Sequence, residues 1–474
     1  MPKDSFQSPH HGFTDLDSRL PADYEEFKAS IANTPWNRVR AKAMEARDLE
    51  KLGRLENAKA LRMDILALAK ICDVTCRPEE VVSCSLLVAC SHFHLAKSYH
   101  EDTYIKQAIT HSLRAVDVLE KVHKRDCLKQ GPREEIRALR CQANLFLSAL
   151  LLENDPPNVQ AAVHHLHVAG DFSEGAEFDN TSKLRYAFCC NAIGSKTLQE
   201  SIRLRAKRRK LEKKMQALKE EVQTVDPFEE RQINARMART SREMKDTQDM
   251  EEGKLGSALS YLDKAVDVIM EVIAFVEEAA KQLDGEEDKE WVAAQLGRLY
   301  RFCSDIMLAM SRGRALGDDL SGSEQLLGEI LSVQQAYGVI TPRVLAEVHR
   351  QRAAALLKVE RLDEALATTN DLIDILDSRS KTPRTNSSRR KKSSKDNRHP
   401  CHDHGAFTGV AWTEGCAVEA RKLKAKICIA LGYIPEAIQE YKHASDMLEA
   451  QHGSGDQRFL NVEGKIRLLE ESML

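Results

Sequence analysis

The chain has few of the residues that interrupt helices. Its 474 residues include only 22 glycines and 13 prolines, and aromatic side chains make up 5%. Glycine and proline mark turns, while aromatic and β-branched residues favour strands, so their scarcity argues against a β-rich fold. Charged residues account for 30% of the chain, and the mix of Ala, Leu, Glu, Lys and Arg is typical of long helices. We therefore expect an all-α fold.

The sequence also lacks the signatures of several functional classes. The N-terminus has no apolar run of the kind that a secretory signal needs, and the longest apolar stretch, 143–152, is too short to span a bilayer. No GxxxxGK, GxGxxG, HExxH or GxSxG motif is present. We expect a chain without catalytic activity, without cofactors and without membrane insertion.

Cysteine usage and charge set further bounds. The 12 cysteines are scattered, and a chain of this length needs no disulfides, so we expect reduced thiols in a cytoplasmic or nuclear compartment. The net charge of −3 argues against polyanion binding by the molecule as a whole. One dense group of metal-ligand residue types lies in a polar segment that offers no scaffold for zinc, so no metal site is expected. Its members are Cys401, His402, Asp403 and His404.

What the chain does contain is a repeated spacing. Six times an alanine is followed seven residues later by another alanine or a large aliphatic residue. A seven-residue step is two helical turns, so both members lie on one helix face, where a small residue lets a second helix approach. The pattern predicts stacked helical hairpins. The pairs are Ala58/Ile65, Ala108/Ala115, Ala162/Ala169, Ala258/Ala265, Ala365/Leu372 and Ala437/Ala444.

The clearest unit, 418–447, has small residues in a first helix, a glycine at its end and a second helix with an aromatic residue between two alanines. The positions are Ala425, Gly432, Ala437, Tyr441 and Ala444. This pattern resembles a tetratricopeptide repeat, and unit spacings of about 42 residues resemble the extended repeats of kinesin light chains. The resemblance implies a right-handed superhelical solenoid of about six repeats. It also implies a non-catalytic protein-interaction scaffold in a microtubule, motor or ciliary assembly, in the cytoplasm.

Breaks in the pattern suggest a domain order. We expect a partly disordered segment at 1–34, N-terminal repeats at 35–200, an inserted antiparallel coiled-coil hairpin at 201–252, and middle repeats at 253–377. A disordered basic linker at 378–410 and a C-terminal repeat with a capping helix at 411–474 complete the chain. The hairpin is expected because Leu211, Met215, Leu218 and Val222 recur at coiled-coil spacing, and Ile233, Met237 and Met244 provide a returning stripe.

The inserted hairpin, the arm, carries a dense basic run. An ordinary solvated helix face is the default interpretation of this run, and contact with acidic proteins, nucleic acid or a nuclear import receptor is the functional one. No aromatic residue interleaves with these charges, so stacking on single strands has no support. A nucleic-acid-associated or nuclear adaptor is therefore the alternative function. The basic residues are Arg203, Arg205, Lys207, Arg208, Arg209 and Lys210.

The resemblance also implies that the first helix of each hairpin lines a binding groove. Its exposed positions are basic, which predicts acidic extended peptides or helices as partners, with plain solvated charges as the alternative reading. The family's carboxylate clamp for chaperone tails is not matched, because its positions hold Ala43, Arg47 and His94. The sequence does not predict an oligomeric state. The groove residues are Arg40, Arg47, Lys97, Arg350, Lys422 and Lys426.

Overall fold

The computed structural model describes residues 35–72, 78–123, 130–171, 180–223, 227–282, 285–380 and 409–473, and within these ranges all regular structure is helical. The 15 helices are α1 (Pro35–Lys51), α2 (Leu55–Cys72), α3 (Pro78–Glu101), α4 (Ile105–His123), α5 (Gln130–Glu153), α6 (Val159–Asp171), α7 (Asn180–Val222), α8 (Pro227–Ala280), α9 (Glu286–Leu316), α10 (Leu320–Tyr337), α11 (Pro342–Lys358), α12 (Leu362–Ser380), α13 (Gly409–Leu431), α14 (Ile434–His452) and α15 (Gln457–Ser472).

The helices pair in sequence order into hairpins. Helices α1 to α14 form seven such pairs, one more than the expected six or so, and α15 packs against α14. The first helices of neighbouring hairpins are also in contact. Helix α1 contacts α3, α5 contacts α7, and α11 contacts both α9 and α13. The predicted all-α fold of stacked helical hairpins is confirmed within each part of the chain that the structure describes. The chain divides into two compact units, the first ending at Ala279 and the second beginning at Ala280.

The alanine pairs form the core of the second helices. Every member of the six pairs is at most 2% exposed. The α9/α10 hairpin contains none of the six pairs, and at the same seven-residue spacing it has Ser323 and Ile330, which are 1% and 0% exposed. Because a small side chain at the first position allows the two helices to approach, this spacing determines the packing of each hairpin.

The turns inside the hairpins repeat one backbone geometry. A residue with positive φ follows the first helix at Gly53, Thr103, Asp318, Glu360 and Gly432. In the first of these turns the amides of Gly53 and Arg54 donate to carbonyls of the last helical turn, and the same pattern recurs after α3 and α11. This is the usual helix end with a left-handed residue, and three of the five positions use a residue other than glycine.

Helices α7 and α8 are the longest of the described helices, and they contain 201–222 and 227–252 of the predicted arm. Both run without interruption from the body of the first unit into this segment, so the arm extends the two helices of one hairpin. Leu211, Leu218 and Ile233 are buried in the arm. At its base Glu251 is only 6% exposed. Its carboxylate lies 3.7 Å from Nε of Arg205 and 3.2 Å from Nε of Arg208.

The two units cut across the expected domain order, because 253–279 of the predicted middle repeats belongs to the first unit. The N-terminal segment 1–34 and most of the basic linker, 381–408, with the Cys401 to His404 group, lie outside the described residues. Within the described ranges no helix is long and apolar enough to cross a membrane.

Candidate functional site

The second unit presents a row of charged side chains along its first helices. We call it the A face. It is positioned by α9, α11, α13 and α15, whose opposite sides are held in place by buried residues such as Val348, Ala420 and Ile466. The A face consists of Arg312, Glu347, Arg350, Glu419, Lys422, Lys426 and Lys465.

One half of the A face is organised around Glu347, which has two arginines beside it. Its carboxylate accepts hydrogen bonds from Arg350 at 2.6 and 2.7 Å, from Gln351 at 2.8 Å and from Arg312 at 2.8 Å. Burial acts to raise the pKa of Glu347, but these donors and the charges of Arg350 and Arg312 outweigh it and hold the pKa at about 2. Arg350, a predicted groove residue, is therefore engaged within the protein.

The other half has an excess of positive charge. Lys422 and Lys426 of α13 lie near Lys465 of α15, and burial followed by repulsion from Lys426 and Lys422 lowers the pKa of Lys465. Glu419 opposes that shift and accepts a hydrogen bond of 2.7 Å from Lys422. Within the A face, Lys422 and Lys465 thus interact with Glu419 while Lys426 adds a third positive charge beside Lys465, which makes this end of the A face attractive to an anionic partner.

Lys465 was not identified from the sequence, because it belongs to the last helix, which has no paired second helix to place it in a repeat. A signal was nevertheless present in the spacing of its neighbours. Val462 and Ile466 are four residues apart and buried, so Lys465 has to lie at the edge of the same buried stripe. The structure therefore brings together three of the predicted groove residues, Arg350, Lys422 and Lys426, and adds Lys465.

The other predicted groove residues lie in the first unit and differ in their surroundings. Lys97 is not a solvated groove cation, because it is only 8% exposed and its ammonium lies 4.8 Å from the centre of the Phe93 ring. Burial, followed by the charge of Arg185, lowers the pKa of Lys97 to about 7. Arg47 lies 4.0 Å from Asp48 and is partly buried, and Arg40 is half-buried.

Beside Lys97 the interior of the first unit contains a polar network. Both oxygens of Glu50 accept hydrogen bonds of 3.2 Å from buried Arg62, and Nδ1 of His94 lies 3.2 Å from the same carboxylate. The Nδ1 atoms of His92 and His111 are 3.0 Å apart. These groups join α1 to α2 and α3 to α4, so their contacts stabilise the hairpins.

The six basic residues predicted on the arm fall into two groups. Lys207 pairs with Glu243 at 2.9 Å, and Arg205 and Arg208 flank Glu251, so these three cations join α7 to α8. The other three are exposed on α7 and are Arg203, Arg209 and Lys210.

No constellation for metal binding was found. In the part of the chain that the structure describes, no group of three or more His, Cys, Asp or Glu side chains could hold a metal ion. The described cysteines are free thiols. Burial raises the pKa of Cys189 to about 12, which leaves that thiol protonated.

Comparisons with known proteins add little to this geometry. No family model matches the chain, and no curated protein matches it. A solved STAND signal-transduction ATPase with a tetratricopeptide repeat sensor, from Pyrococcus horikoshii, is 11% identical, with 95% of this chain and 51% of that chain covered and a TM-score of 0.35. This chain thus spans about half the length of that protein.

Two other solved structures show similarity at the same level. The tetratricopeptide repeat domain of P58(IPK) is 12% identical, with 92% of this chain and 99% of that one covered and a TM-score of 0.24. A chain of the Naa15/Naa10 structure bound to HypK-THB is 12% identical, with coverages of 93% and 74% and a TM-score of 0.16. These similarities are too low to establish a shared fold, and the hairpins are defined by their own turns and buried pairs.

Proposed function

We propose that the chain is a non-catalytic scaffold that binds an acidic segment of another protein on the A face of its second unit. The observation that carries this proposal is the cluster of Lys422, Lys426 and Lys465, in which the carboxylate of Glu419 acts on Lys422 and Lys465. Stacked hairpins form a long side-chain surface, which suits an extended peptide or a helix.

The end of the A face that contains Lys422, Lys426 and Lys465, which we call the lysine end, would recognise the negative charge of the partner. In the half around Glu347, Arg312 and Arg350 already donate to the carboxylate of Glu347, so an acidic ligand gains little there. At the lysine end an added carboxylate relieves the repulsion among three cations, and exposed charges of this kind govern association rate and specificity. The attraction weakens with salt because the cations are solvated.

The experiment uses the full chain and a fluorescein-labelled peptide of alternating glutamate and glycine. Binding is followed by fluorescence anisotropy in 50 mM and 300 mM NaCl. Replacing Lys422, Lys426 and Lys465 by Glu should weaken binding by roughly tenfold or more at low salt. The matched control replaces Lys358, Lys442 and Arg467, which lie in the same unit and are exposed. Equal losses in both variants would show non-specific attraction and reject the A face as the site.

The cellular setting is a separate part of the proposal. The hairpins resemble extended repeats of kinesin light chains, and we propose a cytoplasmic location in a microtubule, motor or ciliary assembly. Imaging of a tagged full chain together with tubulin tests this. A nuclear signal that excludes microtubules and cilia would favour the nuclear adaptor instead.

A further inference from the structure

The outer side of α7 carries a cationic surface that the contacts within the arm leave available. Five exposed residues form it, and we call it the outer face. The residues recur at steps of three, four and seven, and they lie away from or beside the buried seam of Leu211 and Leu218. The outer face consists of Arg203, Arg209, Lys210, Lys213 and Lys214.

These cations are distinct from those that hold the arm together. Arg205, Lys207 and Arg208 point to Glu243 and Glu251 of α8 and fix the pairing of the two helices. Among the described residues no carboxylate forms a direct ion pair with any member of the outer face, although the charge of Lys214 adds to the hydrogen bond and charge of Lys207 in lowering the pKa of Glu243. The only acidic residue in 201–219 is Glu212, and it lies 3.8 Å from Arg208 instead.

The charge density is high and the surface is straight. Eleven residues separate Arg203 from Lys214, which corresponds to about 16 Å along an α-helix. Five positive charges over that length give one charge per about 3.3 Å, which matches the spacing of about 3.4 Å between phosphates along one strand of a duplex. Ala206 and Ala217 are also exposed on α7, and such small side chains allow a bulky backbone to come close.

We propose that the outer face binds the phosphate backbone of double-helical nucleic acid without reading its sequence. A protein partner would find few apolar anchors along this surface, because the large apolar residues between Arg203 and Lys214 are buried or half-buried. A polyphosphate gains more, since each contact releases condensed counterions. No aromatic residue lies in 201–227, so stacking of single-stranded bases has no platform.

The test is independent of the A face. Full-length protein is titrated into fluorescein-labelled 20-base-pair DNA and RNA duplexes of arbitrary sequence between 50 and 200 mM NaCl. Five phosphate contacts predict a slope of about −4.5 for log affinity against log salt. Replacing all five outer-face residues by Gln should lower affinity more than about tenfold and bring the slope close to zero. Circular dichroism checks that the arm stays helical.

A matched control removes five exposed cations elsewhere, Lys51, Lys106, Lys264, Lys358 and Arg467. It should change the affinity less than about twofold and leave the slope unchanged. Absence of duplex binding at 50 mM NaCl overturns the proposal, as does equal loss in the control. Unlabelled duplex and polyglutamate are also compared as competitors at the same charge concentration. If polyglutamate competes as effectively as the duplex, the proposal is overturned and the outer face is assigned to acidic proteins.

Discussion

Gly194 lies at a close approach of α7 and α8, and it offers a sharp test of how the arm joins the body. A Cβ built on Gly194 would lie 2.8 Å from Cγ of Leu262 and 3.1 Å from the backbone oxygen of Ala258. Leu262 is fully buried and Ala258 is a member of the repeated alanine pairs. Neither neighbour can move without shifting α8, so Gly194→Ala has to separate the two helices.

Two opposing effects set the size of the change. Alanine in place of glycine within a helix stabilises by roughly 0.5–1 kcal/mol, while overpacking a core typically costs about 1–3 kcal/mol. We expect a net loss of about 1–2 kcal/mol for Gly194→Ala. A Cβ added to Gly256 of α8 would meet no atom within 4 Å, so Gly256→Ala should show only the stabilising effect of about 0.5–1 kcal/mol.

Hydrogen exchange followed by mass spectrometry measures these changes locally in the full chain, which matters because two units need not unfold in one step. In Gly194→Ala, the hydrogen-exchange protection of peptides covering 187–198 and 258–269 should fall about 5–30-fold. In Gly256→Ala, the protection of the same peptides should rise. Combining Gly194→Ala with Leu262→Ala should show a favourable coupling, because the shortened side chain leaves room. An increase in protection for Gly194→Ala equal to that of Gly256→Ala would refute the close approach.

Two further predictions concern single residues of the first unit. Thr103 has a φ of 65°, which strains a β-branched residue, so Thr103→Gly should raise the free energy of local unfolding of α3 and α4, measured by hydrogen exchange, by about 0.5–1 kcal/mol. Gly53→Thr, at a φ of 71°, should lower that free energy in α1 and α2. A lower hydrogen-exchange protection of α3 and α4 in Thr103→Gly would contradict this reasoning. The pKa of Lys97 falls from its ordinary 10.5 to about 7 on folding, so the unfolded chain binds the extra proton between these values and stability should rise with pH across that window, with a slope of at most about 1.4 kcal/mol per pH unit. Urea unfolding of the wild type and Lys97→Met at pH 7 and 9 checks this, because the variant should lose that part of the slope; identical slopes would place Lys97 in solvent.

The sequence by itself determined the local architecture. The seven-residue pairs, such as Ala437 with Ala444, follow from helical periodicity, and all of them are buried where that periodicity requires. Period and side-chain size are properties of neighbouring residues in the chain, so they can be read without knowing the fold. The all-α class and the hairpin repeat were predictable for that reason.

The tertiary structure decided which charged residues are free to bind. Nothing in the local pattern distinguishes Arg205, which faces a buried carboxylate, from Arg209, which faces solvent. Lys97 appeared equivalent to Lys422, yet one is buried beside an aromatic ring and the other lies in a partly exposed cluster with Lys465. A charge is satisfied or available according to partners from distant parts of the chain, and only the packing of helices brings those partners together.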